Sequence, residues 1–276
     1  MTAHRILYVS SGRTFGGAEQ VMLSLATAFA KAGCDVRAIH HPGNTILADE
    51  IARRGLGGRA FPEIARRADA SAFTELVREY APDLVHIHRT WPLSDRHAGR
   101  GARKAGVRVI ATEHVRIEEA GLRDRLAKRV LSRYDDHVIA VSNAVRRSLT
   151  GFWGVDPARV VTIPNGVDVA PFARPRVPAS AGRHFSGHVP FRIGAIGRLE
   201  RQKNMTALVD AFARARHAGL DAELCIVGEG SESALIRSAI ESAGLGDRVK
   251  ILKRIDDVPG FLAELDLFVL PSLWEG

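Results

Sequence analysis

Short apolar runs, each followed by turn residues and then by a helical pattern, recur in two blocks along this chain, and nothing else in the sequence constrains its fold as tightly. An alternation of that kind builds parallel sheets covered by helices. In the first block it predicts strands at residues 6–10, 35–39, 84–88, 107–112 and 137–141. A helix is predicted over 18–32, with Val21, Leu25, Ala28 and Phe29 on one face and Gly33 closing it. Ser142 is placed to cap a second helix over 143–149. In the second block the predicted order is strand 191–196, helix 205–218, strand 222–227, helix 233–243, strand 249–252, helix 258–265 and strand 267–270.

Between the blocks, residues 171–190 carry Pro171, Pro175, Pro178 and Pro190, with Pro164 just upstream, and show little apolar periodicity. We read this stretch as a linker. It joins a domain at 1–170 to one at 191–276, and 276 residues suffice for two α/β cores. No run of about 18 uncharged apolar residues occurs, so no membrane-spanning helix is predicted, and the N-terminus lacks the pattern of a signal peptide. Cys34 and Cys225 lie far apart in apolar runs and are expected to be buried, unpaired thiols of a cytoplasmic protein. Net charge is +8. Residues 1–170 hold 25 Lys and Arg against 18 Asp and Glu, or +7; residues 171–276 hold 14 against 13, or +1. A basic first half favours polyanions.

Ligands of open α/β sheets bind beyond the carboxyl ends of the strands, and the informative residues fall there. After the first strand comes Ser11-Gly12-Arg13-Thr14-Phe15-Gly16-Gly17-Ala18-Glu19. Paired glycines at a helix N-terminus let a backbone approach a phosphate, although a tight strand-to-helix turn also wants glycine. Opening the second block, Gly194-Ala195-Ile196-Gly197-Arg198-Leu199 leads to Lys203, so two cations leave one loop and could meet a diphosphate. Val227-Gly228-Glu229-Gly230 and Pro271-Ser272-Leu273-Trp274-Glu275-Gly276 end two further strands.

These phrases, together with Ile163-Pro164-Asn165-Gly166-Val167-Asp168, resemble in order and spacing those of glycosyltransferase family 4, the group 1 glycosyltransferases of GT-B fold. The resemblance covers nearly the whole chain. It implies two Rossmann-like domains with parallel sheets facing a cleft, and a retaining, metal-independent transfer from a nucleoside-diphosphate sugar to a glycan or lipid-linked acceptor in cell-envelope synthesis. By the same resemblance Arg198 and Lys203 hold the donor diphosphate, Gly16, Gly17 and Gly228 line the donor, and Glu275 is the first of a glutamate pair beside the donor sugar. His114 stands where family members place a histidine or acid facing donor sugar and acceptor. The second glutamate and a covering helix would fall beyond Gly276. The chain is therefore expected to be C-terminally truncated, its second domain incomplete, and inactive as it stands.

No His, Cys or Asp set has metal-ligand spacing, so neither a metal nor another cofactor is expected. Asp135-Asp136 and Asp256-Asp257 read as caps and turns, and His86, His88 and His114 as strand-end residues bonded to loops. Along residues 121–133, Leu122, Leu126 and Val130 form an apolar stripe expected to pack on the sheet. Arg123, Arg125, Lys128, Arg129 and Arg133 are expected to form a basic outer surface for an anionic membrane at the inner face of the plasma membrane, with no role for nucleic acid. Two other readings stand beside the enzyme: a nucleotide-sugar-binding module without turnover, and a GT-B nucleotide-sugar epimerase.

Overall fold

A computed structural model describes residues 4–175, 185 and 191–275. They form two compact units that divide between Gly166 and Val167. Most of the proline-rich stretch at 171–190 lies outside the described residues.

The first unit is a seven-stranded parallel sheet. In chain order its strands are β1 (Arg5–Ser10), β2 (Asp35–His40), β3 (Gly57–Ala60), β4 (Leu84–Arg89), β5 (Arg108–Glu113), β6 (His137–Ala140) and β7 (Val160–Thr162). Their spatial order is β3-β2-β1-β4-β5-β6-β7, so the direction of winding reverses between β1 and β4. The central strands β1 and β4 are buried along almost their whole length, as in sheets covered on both faces. Six helices cover them: α1 (Gly17–Lys31), α2 (Thr45–Arg53), α3 (Arg67–Tyr80), α4 (Ala98–Lys104), α5 (Leu122–Leu131) and α6 (Asn143–Arg147). Gly33 takes φ +91° after α1, as expected of a closing glycine. Ser142 accepts from the Val145 amide as the cap of α6.

Two helical faces differ from expectation. In α1 the buried residues are Glu19, Met22, Leu23 and Ala26, while Phe29 is 43% exposed and Ala28 lies outside. The four buried positions follow the i, i+3, i+4, i+7 rule with a glutamate as the first member. Glu19 is drawn in by polar partners at the end of β1, and it rotates the helix. In α5 the stripe Leu122, Leu126 and Val130 faces outward, at 69%, 51% and 50% exposed, and Lys128 is buried instead. Its reason lies in the charges beneath the helix, described below. Cys34 is only half-buried, in the turn before β2; Cys225 is fully buried.

The second unit is a parallel sheet in the order β10-β9-β8-β11, with β8 (Phe191–Ile196), β9 (Ala222–Val227), β10 (Val249–Leu252) and β11 (Leu267–Phe268). Helices α7 (Met205–His217), α8 (Ser233–Ser242) and α9 (Val258–Glu264) pack on it. A Cβ on Gly194 in β8 would lie 2.5 Å from Leu265, so glycine there lets the end of α9 close on the strand. The last strand is shorter than expected and sits at the edge, where Leu267 and Phe268 are exposed. Asp257 caps α9 through the Gly260 amide.

Candidate functional site

At the end of β1 the chain makes its glycine turn into α1. Glu19 fixes that turn from below: its carboxylate accepts from Ser10 Oγ at 3.0 Å and from the Gly16 amide at 3.0 Å. A Cβ on Gly12 would strike Glu19 Oε1 at 2.2 Å, so Gly12 is demanded by the carboxylate under it. At Gly17 a Cβ would meet nothing within 4 Å and no positive φ is needed. Neither packing nor backbone conformation asks for glycine there. What it leaves is open space over the first-turn amides of α1, which have no carbonyl partner in the helix.

The ends of β4 and β5 carry a buried polar interior. Arg89, the last residue of β4, donates to Asp135 twice, at 2.7 and 3.1 Å, and to Glu113 at 3.3 Å. Lys128 of α5 reaches in to the same Glu113. All four side chains are at most 3% exposed. Burial disfavours the charge on Arg89, but the two carboxylates outweigh it and raise its pKa. Two carboxylates on separate elements need two cations, and Arg89 is one. Lys128 is the other, and in supplying it α5 turns its apolar stripe to the outside. Arg125 completes the orientation by donating to Phe152 O at 2.8 Å with its guanidinium over the Phe152 ring. Asp135 is thus a member of a buried ion cluster rather than a cap, whereas Asp136 accepts from the Val109 amide and from Arg103.

Beside this cluster stand the three histidines. His86 Nε2 lies 2.8 Å from Thr112 Oγ1, and His88 Nδ1 lies 3.0 Å from His114 Nε2. His88 and His114 are thus bonded to each other, and His86 to Thr112, across the ends of β4 and β5 rather than to loops. Burial depresses all three: His86 and His114 to about 4, and His88 well below its ordinary value. Neighbouring histidines add to the shift of His86 and His88. The rings are therefore neutral near pH 7. Past β4, Asp95 is fully buried with φ +49°, a conformation unusual for any residue but glycine. It accepts from the Ile64 amide at 3.0 Å, and burial raises its carboxyl pKa.

In the second unit the glycines serve backbone-to-backbone packing. A Cβ on Gly228, at φ +154°, would meet Gly197 O at 1.9 Å, and one on Gly230 would meet Leu199 O at 2.3 Å. The loops after β8 and β9 therefore touch without side chains between them. Glu200 ties them further, accepting from Ser231 Oγ at 2.6 Å and from its amide at 3.0 Å. Lys203 lies across Gly197, its Cδ 3.3 Å from where a Cβ would stand, and its Nζ is 2.5 Å from Glu275 Oε1. Gln202 donates to Trp274 O at 3.0 Å and lies 3.3 Å from Arg198 Nη2. So Arg198, Lys203, Gly228 and Glu275 gather at adjoining strand ends. Burial alone would raise the Glu275 carboxyl pKa; hydrogen bonds from Lys203 and Ser272 and the charges of Lys203 and Arg198 outweigh it and hold the pKa down.

From the sequence Glu19 stands only as the end of the glycine phrase, and Lys128 and Asp135 as an outer cation and a cap; Asp95 and Arg89 are not singled out at all. Glu19 had a signal, a glutamate at the third helical position after a glycine turn. For Asp95 the sequence offers none.

Residues 15–171 match the family model described as Glycosyltransferase Family 4, and residues 190–276 the model described as Glycosyl transferases group 1. A 2-deoxystreptamine N-acetyl-D-glucosaminyltransferase of Streptomyces fradiae is 30% identical over 230 residues, which cover 74% of this chain and 53% of that protein. A phosphatidyl-myo-inositol mannosyltransferase of Mycolicibacterium smegmatis is 28% identical over 273 residues, covering 94% of this chain and 67% of that protein. The chain thus spans between half and two thirds of these relatives' length. The crystal structure of HepE of Anabaena in complex with UDP and glucose superimposes with a TM-score of 0.82 at 18% identity, over 97% of this chain and 74% of that one. The fold is GT-B.

Proposed function

The chain belongs to glycosyltransferase family 4, and from that premise we propose that it moves a sugar from a nucleoside-diphosphate donor to a glycan or lipid-linked acceptor, with retention and without a metal. The observation that carries this reading is the grouping of Arg198, Lys203 and Glu275 beside loops whose glycines keep side chains out of the way. When the bond from the anomeric carbon to the diphosphate breaks, negative charge grows on the departing oxygen. Two cations set in place beforehand stabilise that charge without reorganising. Glu275, kept ionised by the same cations, is placed for the donor sugar. The relative solved with UDP and glucose supports a nucleotide donor, and the phosphatidyl-inositol mannosyltransferase supports a lipid acceptor.

A calorimetric titration with nucleoside diphosphates, followed by a transfer assay, tests the reading. Lys203→Ala is expected to weaken binding by roughly 1.5–3 kcal/mol, as for a charge-assisted hydrogen bond, and transfer is expected to persist in excess EDTA. Unchanged binding in both Arg198→Ala and Lys203→Ala would sink the assignment. Sugar bound but never transferred would favour the binding module, and conversion of the nucleotide sugar to its epimer the third reading.

The outward stripe of α5 carries a second part of the proposal, contact with an anionic membrane. Leu122, Leu126 and Val130 share the exposed surface with Arg123, Arg129 and Arg133. Apolar side chains among cations on one helix suit a bilayer interface bearing anionic lipid. Among the described residues no helix is long and apolar enough to cross a membrane. Vesicle sedimentation that does not depend on anionic lipid would count against the contact.

A further inference from the structure

We propose that His88 is a positioning residue for sugar transfer: it donates its Nδ1–H to His114 Nε2, and so leaves the Nδ1–H of His114 as the one ring group that can meet a ligand. This rests on the reading of His114 as a substrate-facing residue. The geometry is that of two imidazoles joined edge to edge, with ring planes 25° apart, centroids separated by 5.1 Å and the nitrogens by 3.0 Å. His88 is 1% exposed and walled in by His86, at 4.4 Å between ring centroids, and by Tyr8, at 5.9 Å. Its other nitrogen, Nε2, is sealed from solvent without a hydrogen-bond partner.

One proton lies between the two rings, and there are two ways to place it. If His114 donated it, the neutral His88 ring would carry its own proton on Nε2, where nothing accepts it. Buried N–H groups without a partner are rare, and unfilled acceptors less so. If His88 donates, the sealed Nε2 holds only a lone pair, and the proton of His114 moves to Nδ1. That atom has no hydrogen-bond partner among the described residues, and it is not one of the atoms the fold seals off. Burial keeps both rings neutral, which leaves this single proton on each.

A consequence follows for the chemistry. Holding a proton on Nδ1 and receiving one at Nε2, His114 has no lone pair to offer. It can donate to a sugar hydroxyl or a phosphate oxygen, but it cannot remove a proton from the acceptor. The histidine at this strand end is therefore an orienting donor and not a general base, and His88 is what makes it so.

Histidine labelled with ¹⁵N in the full chain gives a direct test, because protonated and bare ring nitrogens of a neutral imidazole resonate far apart. Assignment comes from the signals lost in His88→Asn and His114→Gln. His114 is expected to show a protonated Nδ1 at neutral pH; a protonated Nε2 would overturn the proposal whatever the enzyme does. His88→Asn keeps an N–H in nearly the same place and is expected to keep both the His114 tautomer and most of the turnover. His88→Phe fills the room without a donor. It is expected to shift His114 toward the Nε2–H form and to lower kcat about 100-fold, the scale of a lost orientation, with donor KM changed much less. Full turnover in His88→Phe alongside an altered His114 tautomer would overturn the role in catalysis. A chain that transfers no sugar at all would count against the proposed activity, and the nitrogen signals would still decide the His88 assignment.

Discussion

The two units solve the same problem, placing polar groups beyond the ends of a parallel sheet, with opposite means. The first unit buries its chemistry: four charges at most 3% exposed, three neutral histidines and an acid at positive φ. The second buries an ion pair, Arg192 with Asp266, where its strands begin, but keeps the charged groups at their carboxyl ends nearer the surface, with Lys203 and Glu275 at 18% and 49% exposed, and shapes their surroundings with glycines and main chain. Desolvated charges are held hard, because each loses much if its partner leaves. Half-exposed charges on glycine loops can change partners at little cost.

The contrast can be broken most sharply at Arg89. Arg89→Met leaves Glu113 and Asp135 with Lys128 as the only cation of the cluster, and removing one partner of a buried ion pair costs about 3–5 kcal/mol. The loss is expected in the first unit alone. Trp153, 1% exposed there, reports it by fluorescence; labelling of the buried Cys225 in a Cys34→Ser background reports the second unit. If both signals moved together by the same amount, the units would not differ in the way described.

Acid should separate them next. His86 and His114 have folded pKa values of about 4, below the unfolded value of 6.5. Between those limits the unfolded chain binds more protons, so stability is full above pH 6.5 and drains as pH falls toward 4. At 1.36 kcal/mol per unit, the loss is on the order of 3 kcal/mol for each histidine. Asp95, whose pKa burial raises, works in the other direction and offsets part of it. In the second unit the only described histidine, His217, is exposed. Its shifted acids, Glu200 and Glu275, lie below the usual carboxylate range and titrate only in stronger acid. The first unit is thus expected to loosen between pH 6 and pH 4.5 while the second holds. Equal acid sensitivity of the two reporters would refute this.

The smallest effect concerns the outer surfaces. Arg123→Gln on α5 should weaken sedimentation with anionic vesicles by about 1 kcal/mol, roughly fivefold. Arg201→Gln, on an exposed turn of the second unit, should not. Added salt should erase the difference, since exposed charges are screened over about 8 Å at physiological ionic strength. Equal losses in the two variants would place the contact elsewhere or make it unspecific.

Much of this was legible in the sequence, and the exceptions have two causes. Strands β1, β4, β8, β9 and β10 follow their apolar runs to within a residue. β3 did not show itself, because Gly-Gly-Arg-Ala holds no β-branched or aromatic residue and forms an exposed edge. The phrases around Gly197, Gly228 and Glu275 stand out as glycine and charge at strand ends, their common role is what the family resemblance implies, and the structure gathers them. The rotation of α5 could not be read from its own periodicity. The stripe Leu122, Leu126, Val130 is a proper amphipathic pattern, overruled by carboxylates that arrive from β5 and from the turn before β6. His88 and His114 were visible as strand-end histidines, but their bond joins residues 26 positions apart. Periodicity records what one element prefers, and buried polar pairing is settled between elements.

The winding of the first sheet has a consequence for how the chain is made. β1 pairs with β2, about 30 residues downstream, and on its other side with β4, which begins at Leu84; the Arg5 amide reaches Asp83 across 78 residues. On a ribosome adding 5–20 residues per second, one flank of β1 therefore waits roughly 4 to 15 seconds for its partner. During that interval Ile6, Leu7, Tyr8 and Val9 form an apolar ribbon with open main-chain groups, the kind of edge that joins to another chain. The growing chain is then most exposed to aggregation while the residues between β2 and β4 are being made, and a chaperone that shields β1 and β2 until Leu84 emerges would raise the yield of folded chain more than one acting after release.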